Sequence, residues 1–286
     1  MSYQILTDSG CDLPKEILAQ LGIHAVSLFV NFRGQTREDS VDEGIQEIYA
    51  GLRAGEAATT SAINPSGWAA AMEPVLAAGD DLLVITFSSG LSTTYQSAVI
   101  AATELKETYP QREIRVVDSL SASLGQGLLV WYACQKKNEG LSLSELAHWV
   151  EENRLHLCHW FTVDDLMHLK RGGRVSAATA LVGTMLNIKP VLHVDNEGHL
   201  ISKAKARGRK ASIEMLLEKA VQLGQGYNNS TMFICHGDCL ADAQYLERRL
   251  KEVCGVKTVV IGYTGAVIGS HSGPGTLALF FLGEHR

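Results

Sequence analysis

Short runs of apolar and β-branched residues alternate, in the first half of this sequence, with longer segments of helical periodicity. The runs that read as strands are residues 4–7, 24–30, 82–87 and 114–117. The intervening segments place their apolar residues on one helical face, as Ile45, Ile48 and Leu52 do. When helices connect successive strands, the strands pair in parallel. We therefore predict a largely parallel α/β sheet.

The pattern changes near residue 155. Two β-rich runs, 189–194 and 199–203, flank the turn signal Asp195-Asn196-Glu197-Gly198, which favours an antiparallel hairpin. Two later runs, 231–235 and 258–261, are separated by a helical segment. This combination predicts a second sheet of mixed direction.

A chain of 286 residues, 46% of them hydrophobic, is long enough for two α/β domains. We predict a Rossmann-like parallel-sheet domain over residues 1–160 and a mixed-sheet α/β domain over residues 161–286. Residues 258–283 carry no formally charged residue apart from the titratable His271, but six glycine or proline residues between positions 262 and 275 break the run. We interpret it as a buried strand followed by a glycine-rich loop, not as a transmembrane segment.

The formal net charge of -6 argues against nucleic-acid binding, which usually requires a basic face. No basic region with a long apolar stretch opens the sequence, so a cytoplasmic location is expected. The six cysteines are scattered without a Cys-x-x-Cys pair, and we expect reduced thiols. Asp164-Asp165 and His236-Gly237-Asp238 lack further ligands in register, so no metal site is expected.

The most informative motif is Phe87-Ser88-Ser89-Gly90-Leu91-Ser92, where a buried strand ends in hydroxyls and a glycine before a helix. Free N–H groups at a helix start, together with hydroxyls of Ser88 or Ser89, can bind a carboxylate or phosphate. Ligands of open parallel sheets also bind beyond the carboxyl ends of the strands. The alternative is that Ser88 or Ser89 only caps the helix.

Two further segments carry suitable donors. Thr59-Thr60-Ser61 precedes another helix and could close the same site, although the segment by itself favours a turn with a helix cap. In Gly269-Ser270-His271-Ser272-Gly273 a histidine lies among small residues that allow a ligand close to the backbone. A lone histidine is more often structural than functional.

Basic residues concentrate at Lys170-Arg171-Gly172-Gly173-Arg174 and again between Lys203 and Lys210, including Arg207. Two basic segments near one site could receive an acidic partner or a phosphate. The sequence contains no Walker loop, Gly-x-Ser-x-Gly elbow or His-Glu-x-x-His motif. Donors without a complete nucleophile, base and acid set favour binding over catalysis.

Taken together, these motifs resemble those of the DegV family along nearly the whole chain. The matching segments are Thr7-Asp8-Ser9, Thr60-Ser61, Ser88-Ser89-Gly90-Leu91-Ser92, Tyr95-Gln96-Ser97, Asp118-Ser119, Gly125-Gln126-Gly127, residues 169–175, Lys189-Pro190-Val191 and residues 271–275. The resemblance implies two α/β domains that enclose one long-chain fatty acid between them.

The resemblance also implies how the lipid is held and used. The carboxylate would be bound by Thr60, Ser61, Ser88, Ser89, Gly90 and His271. A separate ATP-dependent kinase would phosphorylate it to an acyl phosphate, with Arg174 and Arg207 facing the kinase or the phosphate. The chain itself would be a monomeric carrier without catalytic residues, metal or cofactor.

Two alternatives stay open from the sequence. One is an acyl hydrolase or acyltransferase that uses Ser89 or Ser92 with His271, since serine and histidine loops would share one cleft. The other is a kinase-like enzyme related to dihydroxyacetone kinases, which is suggested only by the two-domain layout.

Overall fold

The structure of the protein is a computed structural model that describes residues 2–176 and 187–286. The strands in these ranges are β1 Tyr3–Asp8, β2 His24–Val26, β3 Phe29–Phe32, β4 Gln35–Glu38, β5 Ala58–Ser61, β6 Asp81–Thr86, β7 Ile114–Asp118, β8 Leu157–Thr162, β9 Ile188–Val194, β10 Leu200–Arg207, β11 Thr231–His236, β12 Thr258–Tyr263 and β13 Leu277–Leu282. The helices are α1 Lys15–Leu21, α2 Ile45–Arg53, α3 Pro65–Ala77, α4 Thr94–Thr108, α5 Leu124–Asn138, α6 Leu143–Asn153, α7 Met167–Arg171, α8 Arg209–Leu223, α9 Leu240–Cys254 and α10 Ala266–Ser272.

The first half of the chain forms the predicted parallel sheet. Its four strands lie in the order β2-β1-β6-β7, and every neighbouring pair is parallel. Every residue of the central strand β6 is buried, as expected for a strand covered by helices on both faces. Helix α3 begins where Asn64 accepts a hydrogen bond from Gly67 N at 2.8 Å, with Pro65 in the first turn.

The second half forms a six-stranded sheet in the order β10-β9-β8-β13-β11-β12. The pair β11–β12 is parallel, and the other pairs are antiparallel. The α/β class, with a parallel sheet followed by a mixed sheet, is thus confirmed. So is the predicted hairpin, in which β9 and β10 pair across the turn at Asp195–Gly198.

The prediction of a glycine-rich loop near the end of the chain is only partly correct, because the loop is limited to residues 273–276. Residues 266–272 form the helix α10, and residues 277–282 form β13 between β8 and β11. A strand in the middle of a sheet needs apolar side chains on both faces, which explains the continuous run Leu277-Ala278-Leu279-Phe280-Phe281-Leu282. Among the described residues, no helix is both long enough and apolar enough to cross a bilayer.

A small antiparallel sheet in the order β4-β3-β5 interrupts the first half. The single strand predicted over residues 24–30 is wrong, because β2 joins the parallel sheet and β3 joins this one. Pairing of this segment with β1 ends at Val26. Between β2 and β3, Leu28 N donates to the side-chain oxygen Ser9 Oγ at 3.0 Å. Thr60 and Ser61, interpreted as a turn, belong to β5.

Helix α5 lies between the two larger sheets. One buried cluster joins Ile85 of the parallel sheet, Leu128 of α5 and Phe280 of the mixed sheet. The close approach depends on Gly125, where an added Cβ would collide with the ring of His159. Because both sheets share this cluster, the division of the chain at residue 160 stays a prediction.

We predict that Gly125→Ala lowers the free energy of unfolding by about 1–3 kcal/mol, because the methyl group has no space against His159 and Phe280. Urea denaturation measures the change. The control is Asn138→Ala at the exposed end of the same helix, which should stay within about 0.5 kcal/mol of the native value. Equal effects of the two substitutions would contradict the packing argument.

Candidate functional site

The polar loop after β6 is held by a buried carboxyl group. Phe87 N donates to Asp8 Oδ2 at 2.7 Å, and Gly10 N donates to Asp8 Oδ1 at 3.0 Å. Helix α4 begins only at Thr94, with Thr93 at the N-cap position and no side-chain cap. The interpretation of Ser88 or Ser89 as the helix cap is therefore wrong, and the helix start lies further along the chain than the motif suggested.

The three residues of this motif have different environments. Ser88 is buried and donates through Oγ to the carbonyl oxygen of Gly198 at 2.9 Å. An added Cβ at Gly90 would lie 2.8 Å from the carbonyl oxygen of Glu197 in the same turn. Ser89 N donates to Asp118 Oδ1 at 3.2 Å. Of these residues Ser89 lines the cavity described next, whereas Ser88 and Gly90 contact the β9–β10 turn.

A cavity of about 490 Å³ lies between the sheets and α10. Its apolar wall is formed by Leu28, Phe87, Leu91, Phe161, Leu169, Val194, Leu200, Val267, Ile268, Ala278 and Phe280. Its polar lining includes Thr60, Ser61, Ser89, Ser92, Arg174 and His271. The structure therefore brings the three predicted donor segments together around one apolar space.

The central polar contact joins two of these segments. Thr60 Oγ1 lies 2.8 Å from His271 Nε2, so β5 and α10 meet through a hydrogen bond whose donor depends on the histidine tautomer. On the other side of the ring, an added Cβ at Gly172 would collide with His271 Nδ1. The imidazole is therefore confined between Thr60 and the backbone of Gly172.

The electrostatics of the site keep this histidine neutral. Burial, with a smaller effect of the nearby Arg174 guanidinium, lowers the pKa of His271 to about 4. Burial also lowers the pKa of Arg174, whose Nε and Nη2 donate to the carbonyl oxygen of Leu91 at 3.2 and 3.0 Å. At neutral pH the lining residues that the structure describes thus offer neutral hydrogen-bonding groups and the partly buried Arg174 cation.

The two arginines of the sequence analysis lie in different environments. Arg174 lines the cavity. Arg207 is exposed at the end of β10, an edge strand of the mixed sheet, and is absent from the cavity lining. A role for Arg207 therefore requires a partner at the outer surface.

The geometry disfavours a serine–histidine catalytic pair. His271 Nε2 is paired with Thr60, and Ser92 Oγ is 2.8 Å from Thr94 Oγ1. A histidine with a pKa of about 4 is also a weak base at neutral pH. Within residues 2–176 and 187–286, no three His, Cys, Asp or Glu side chains form a group that could hold a metal ion.

Buried carboxyl groups next to the cavity were missed by the sequence analysis. Asp39 Oδ1 accepts from Val267 N at 2.9 Å, and Asp39 Oδ2 accepts from Ser9 Oγ at 2.8 Å. Asp12 accepts from Ser123, a cavity residue with φ of 56°. Asp8 in Thr7-Asp8-Ser9 was noted as a motif residue, but no local signal indicated that Asp12 and Asp39 converge on the start of α10.

Comparisons with known proteins identify relatives over nearly the whole chain. The model of the family described as "Uncharacterised protein, DegV family" matches residues 2–284. A DegV domain-containing protein of Clostridium perfringens is 45% identical over 286 residues, which cover 99% of this chain and 98% of that protein.

Two solved structures extend the comparison. A DegV family protein from Thermus thermophilus, described by its fatty acid binding, is 34% identical, with a TM-score of 0.88 and coverage of 99% of this chain and 100% of that one. The Streptococcus pneumoniae Fatty Acid Kinase (Fak) B3 protein, loaded with linoleic acid, is 24% identical, with a TM-score of 0.86 and coverage of 99% and 100%. At that identity, the second likeness shows the fold alone.

The buried acids predict a pH dependence of stability. Burial raises the pKa of Asp39 to about 6, against about 3.9 in an unfolded chain. The protonated form is therefore favoured in the fold, and this contribution is complete below about pH 4 and lost as the pH rises through about 6. Relative to Asp39→Asn, the wild type should lose roughly 2–3 kcal/mol of unfolding free energy between pH 4 and pH 7.

Urea denaturation at a series of pH values measures this difference. An asparagine can still accept from Val267 N and can donate to Ser9 Oγ, so the fold should persist. The control is Asp42→Asn, whose side chain is exposed. If the Asp39→Asn and wild-type curves run parallel over this pH range, Asp39 does not hold an additional proton in the fold.

Proposed function

This chain belongs to the DegV family, and on that premise we propose that it binds a single long-chain fatty acid through its carboxylate. The observation that carries the proposal is the arrangement of neutral donors in the wall of a largely apolar cavity. Thr60, Ser89 and His271 come from three separate elements and all line it. The relative from Thermus thermophilus is itself described by fatty acid binding.

The apolar wall supplies most of the affinity. A cavity of about 490 Å³ lies within the range of small-ligand sites, roughly 300–1,000 Å³. Each methylene transferred from water contributes about 0.8 kcal/mol. A long acyl chain against Phe161, Phe280 and Leu200 would therefore bind firmly without any charge on the tail.

The polar lining orients the carboxylate of the fatty acid. Hydrogen bonds to a charged carboxylate contribute about 1.5–3 kcal/mol each, more than those between neutral groups. The Arg174 guanidinium reduces the cost of placing a negative charge in this partly buried position. Because Arg174 donates to Leu91 O, it is not committed as a bidentate partner, and one carboxylate oxygen stays free to react.

We predict that Thr60→Val weakens palmitic acid binding about tenfold or more, because one hydrogen bond to the carboxylate site is lost and His271 loses its partner. Isothermal titration of delipidated protein measures the affinity, and native mass spectrometry gives the stoichiometry. Thr59→Val, at an exposed residue of the same strand that does not line the cavity, is the matched control and should bind as the wild type does.

Methyl palmitate provides the complementary test, because it keeps the tail and removes the charge. We expect it to bind more weakly than palmitic acid to the wild type and to lose little further affinity in Thr60→Val. A wild-type protein that carries no lipid after purification and rejects added palmitic acid would overturn the proposed function.

We further propose that the chain presents the bound fatty acid to a separate ATP-dependent kinase, which converts the carboxylate to an acyl phosphate, while the chain itself performs no catalysis and needs no cofactor. Support comes from the family motifs and from Arg174, a cation beside the position where negative charge would increase. Arg207, exposed with Lys203 and Lys205 along β10, would contact the acidic side of the kinase.

Charge reversal separates kinase contact from lipid binding. With a purified bacterial fatty acid kinase, Arg207→Glu should lower acyl phosphate formation about tenfold, since it places like charges at the contact, and should leave palmitic acid affinity unchanged. Lys257→Glu, which precedes β12 at the opposite edge of the mixed sheet, is the control. Equal rates for the two variants would count against this contact surface.

A further inference from the structure

Arg286 is a buried cation bound mainly to backbone oxygens. It is 8% exposed, and burial lowers its pKa to about 10, so the guanidinium stays charged at neutral pH. It donates to the carbonyl oxygens of Ser119, Leu120, Arg154, Leu157 and Asp195 and to Ser121 Oγ, at distances between 2.6 and 3.4 Å. Within the described parts of the chain, no carboxylate forms an ion pair with it.

These acceptors belong to separate parts of the fold. Ser119, Leu120 and Ser121 form the loop after β7 of the parallel sheet. Leu157 begins β8 of the mixed sheet, and Asp195 begins the β9–β10 turn. One planar guanidinium therefore joins the loop after β7 of the parallel sheet to β8 and the β9–β10 turn of the mixed sheet through backbone hydrogen bonds.

The β9–β10 turn leads from Arg286 to the lipid site. Asp195 O accepts from Arg286, and three residues later Gly198 O accepts from Ser88 Oγ at 2.9 Å. The loop after β7 reaches the same segment, because Ser88 N donates to Ser121 O at 3.0 Å. Both loops that Arg286 holds thus contact Ser88, the residue before Ser89.

Asp118 completes this connection. Its Oδ1 accepts from Ser89 N at 3.2 Å and from Leu120 N at 3.0 Å. Leu120 O in turn accepts from Arg286 at 2.6 Å. A chain of hydrogen bonds through Asp118 and Leu120 therefore links Ser89 on the cavity wall to Arg286.

We propose that Arg286 is a positioning residue for the fatty-acid site: it holds the β9–β10 turn against the loop after β7, and these two fix the segment that presents Ser89. The proposal rests on the proposed function for its link to lipid affinity. A lysine at this position would keep the charge but has three donors on one nitrogen, and it cannot reproduce the planar set of bonds.

The test compares Arg286→Ala and Arg286→Lys with Arg112→Ala. Arg112 also donates to a backbone carbonyl, that of Gly79, and its side chain is 18% exposed, but it lies outside the cavity lining. Three quantities are measured on delipidated protein: palmitic acid affinity by titration calorimetry, amide exchange of residues 88–91 by mass spectrometry, and rescue of both by N-ethylguanidinium.

For Arg286→Ala we expect about tenfold weaker binding, faster exchange over residues 88–91, and partial recovery of both with N-ethylguanidinium. Arg286→Lys should show the same loss of affinity and the same faster exchange. It tests the proposal if the alanine variant does not fold. Arg112→Ala should lose thermal stability and keep its affinity within about twofold, measured well below its unfolding temperature.

A folded Arg286 variant with wild-type affinity and wild-type exchange at residues 88–91 would overturn the proposal. So would weaker binding without faster exchange there, because the effect would then not pass through this segment. If the wild type itself rejects palmitic acid, the proposed function fails, and the exchange and rescue measurements still decide whether Arg286 holds the segment.

Discussion

The packing of α5 between two sheets is the constraint on which the rest of the structure depends. Gly125 lets the helix approach the mixed sheet closely, because a side chain there would collide with His159 and Phe280, while Leu128 of the same helix lies in the buried cluster shared with the parallel sheet. The cavity opens where this packing ends, at Ala122 and Ser123 just before α5. The same arrangement that joins the two halves of the chain therefore creates the apolar space between them.

The site combines an apolar tail cavity with polar groups that carry little charge of their own. A buried ionised histidine would have to be desolvated without a partner, which explains why the fold keeps His271 neutral. Neutral hydroxyl and imidazole groups still stabilise a carboxylate once the ligand brings the charge. Arg174, held by Leu91 O, contributes a cation that a backbone carbonyl has already oriented.

Several buried charged or titratable side chains outside the site hold loops in place. Asp8 holds the segment after β6, Asp39 holds the start of α10, and Arg286 holds the loop after β7 and the β9–β10 turn. Asp8 and Asp39 accept from backbone N–H groups outside the strand and helix hydrogen-bond ladders, which would be costly to leave unpaired. Arg286 adds hydrogen bonds to the carbonyl oxygens of two loops. These side chains explain how donors on β5, α10 and the loop after β6 keep fixed positions around one cavity.

The sequence by itself determined the elements with clear local periodicity and the residue types at their ends. Alternating strands and helices predicted the parallel sheet, the turn signal at Asp195–Gly198 predicted the hairpin, and the motifs identified Thr60, Ser89 and His271, all of which line the cavity. Tertiary structure alone decided that Ser88 supports the loop rather than lines the cavity, that residues 266–272 form a helix, and that Arg286 connects the two halves. The physical reason is that these outcomes depend on partners from distant segments, such as Gly198 for Ser88 and Asp39 for the start of α10, which local periodicity and motif spacing do not encode.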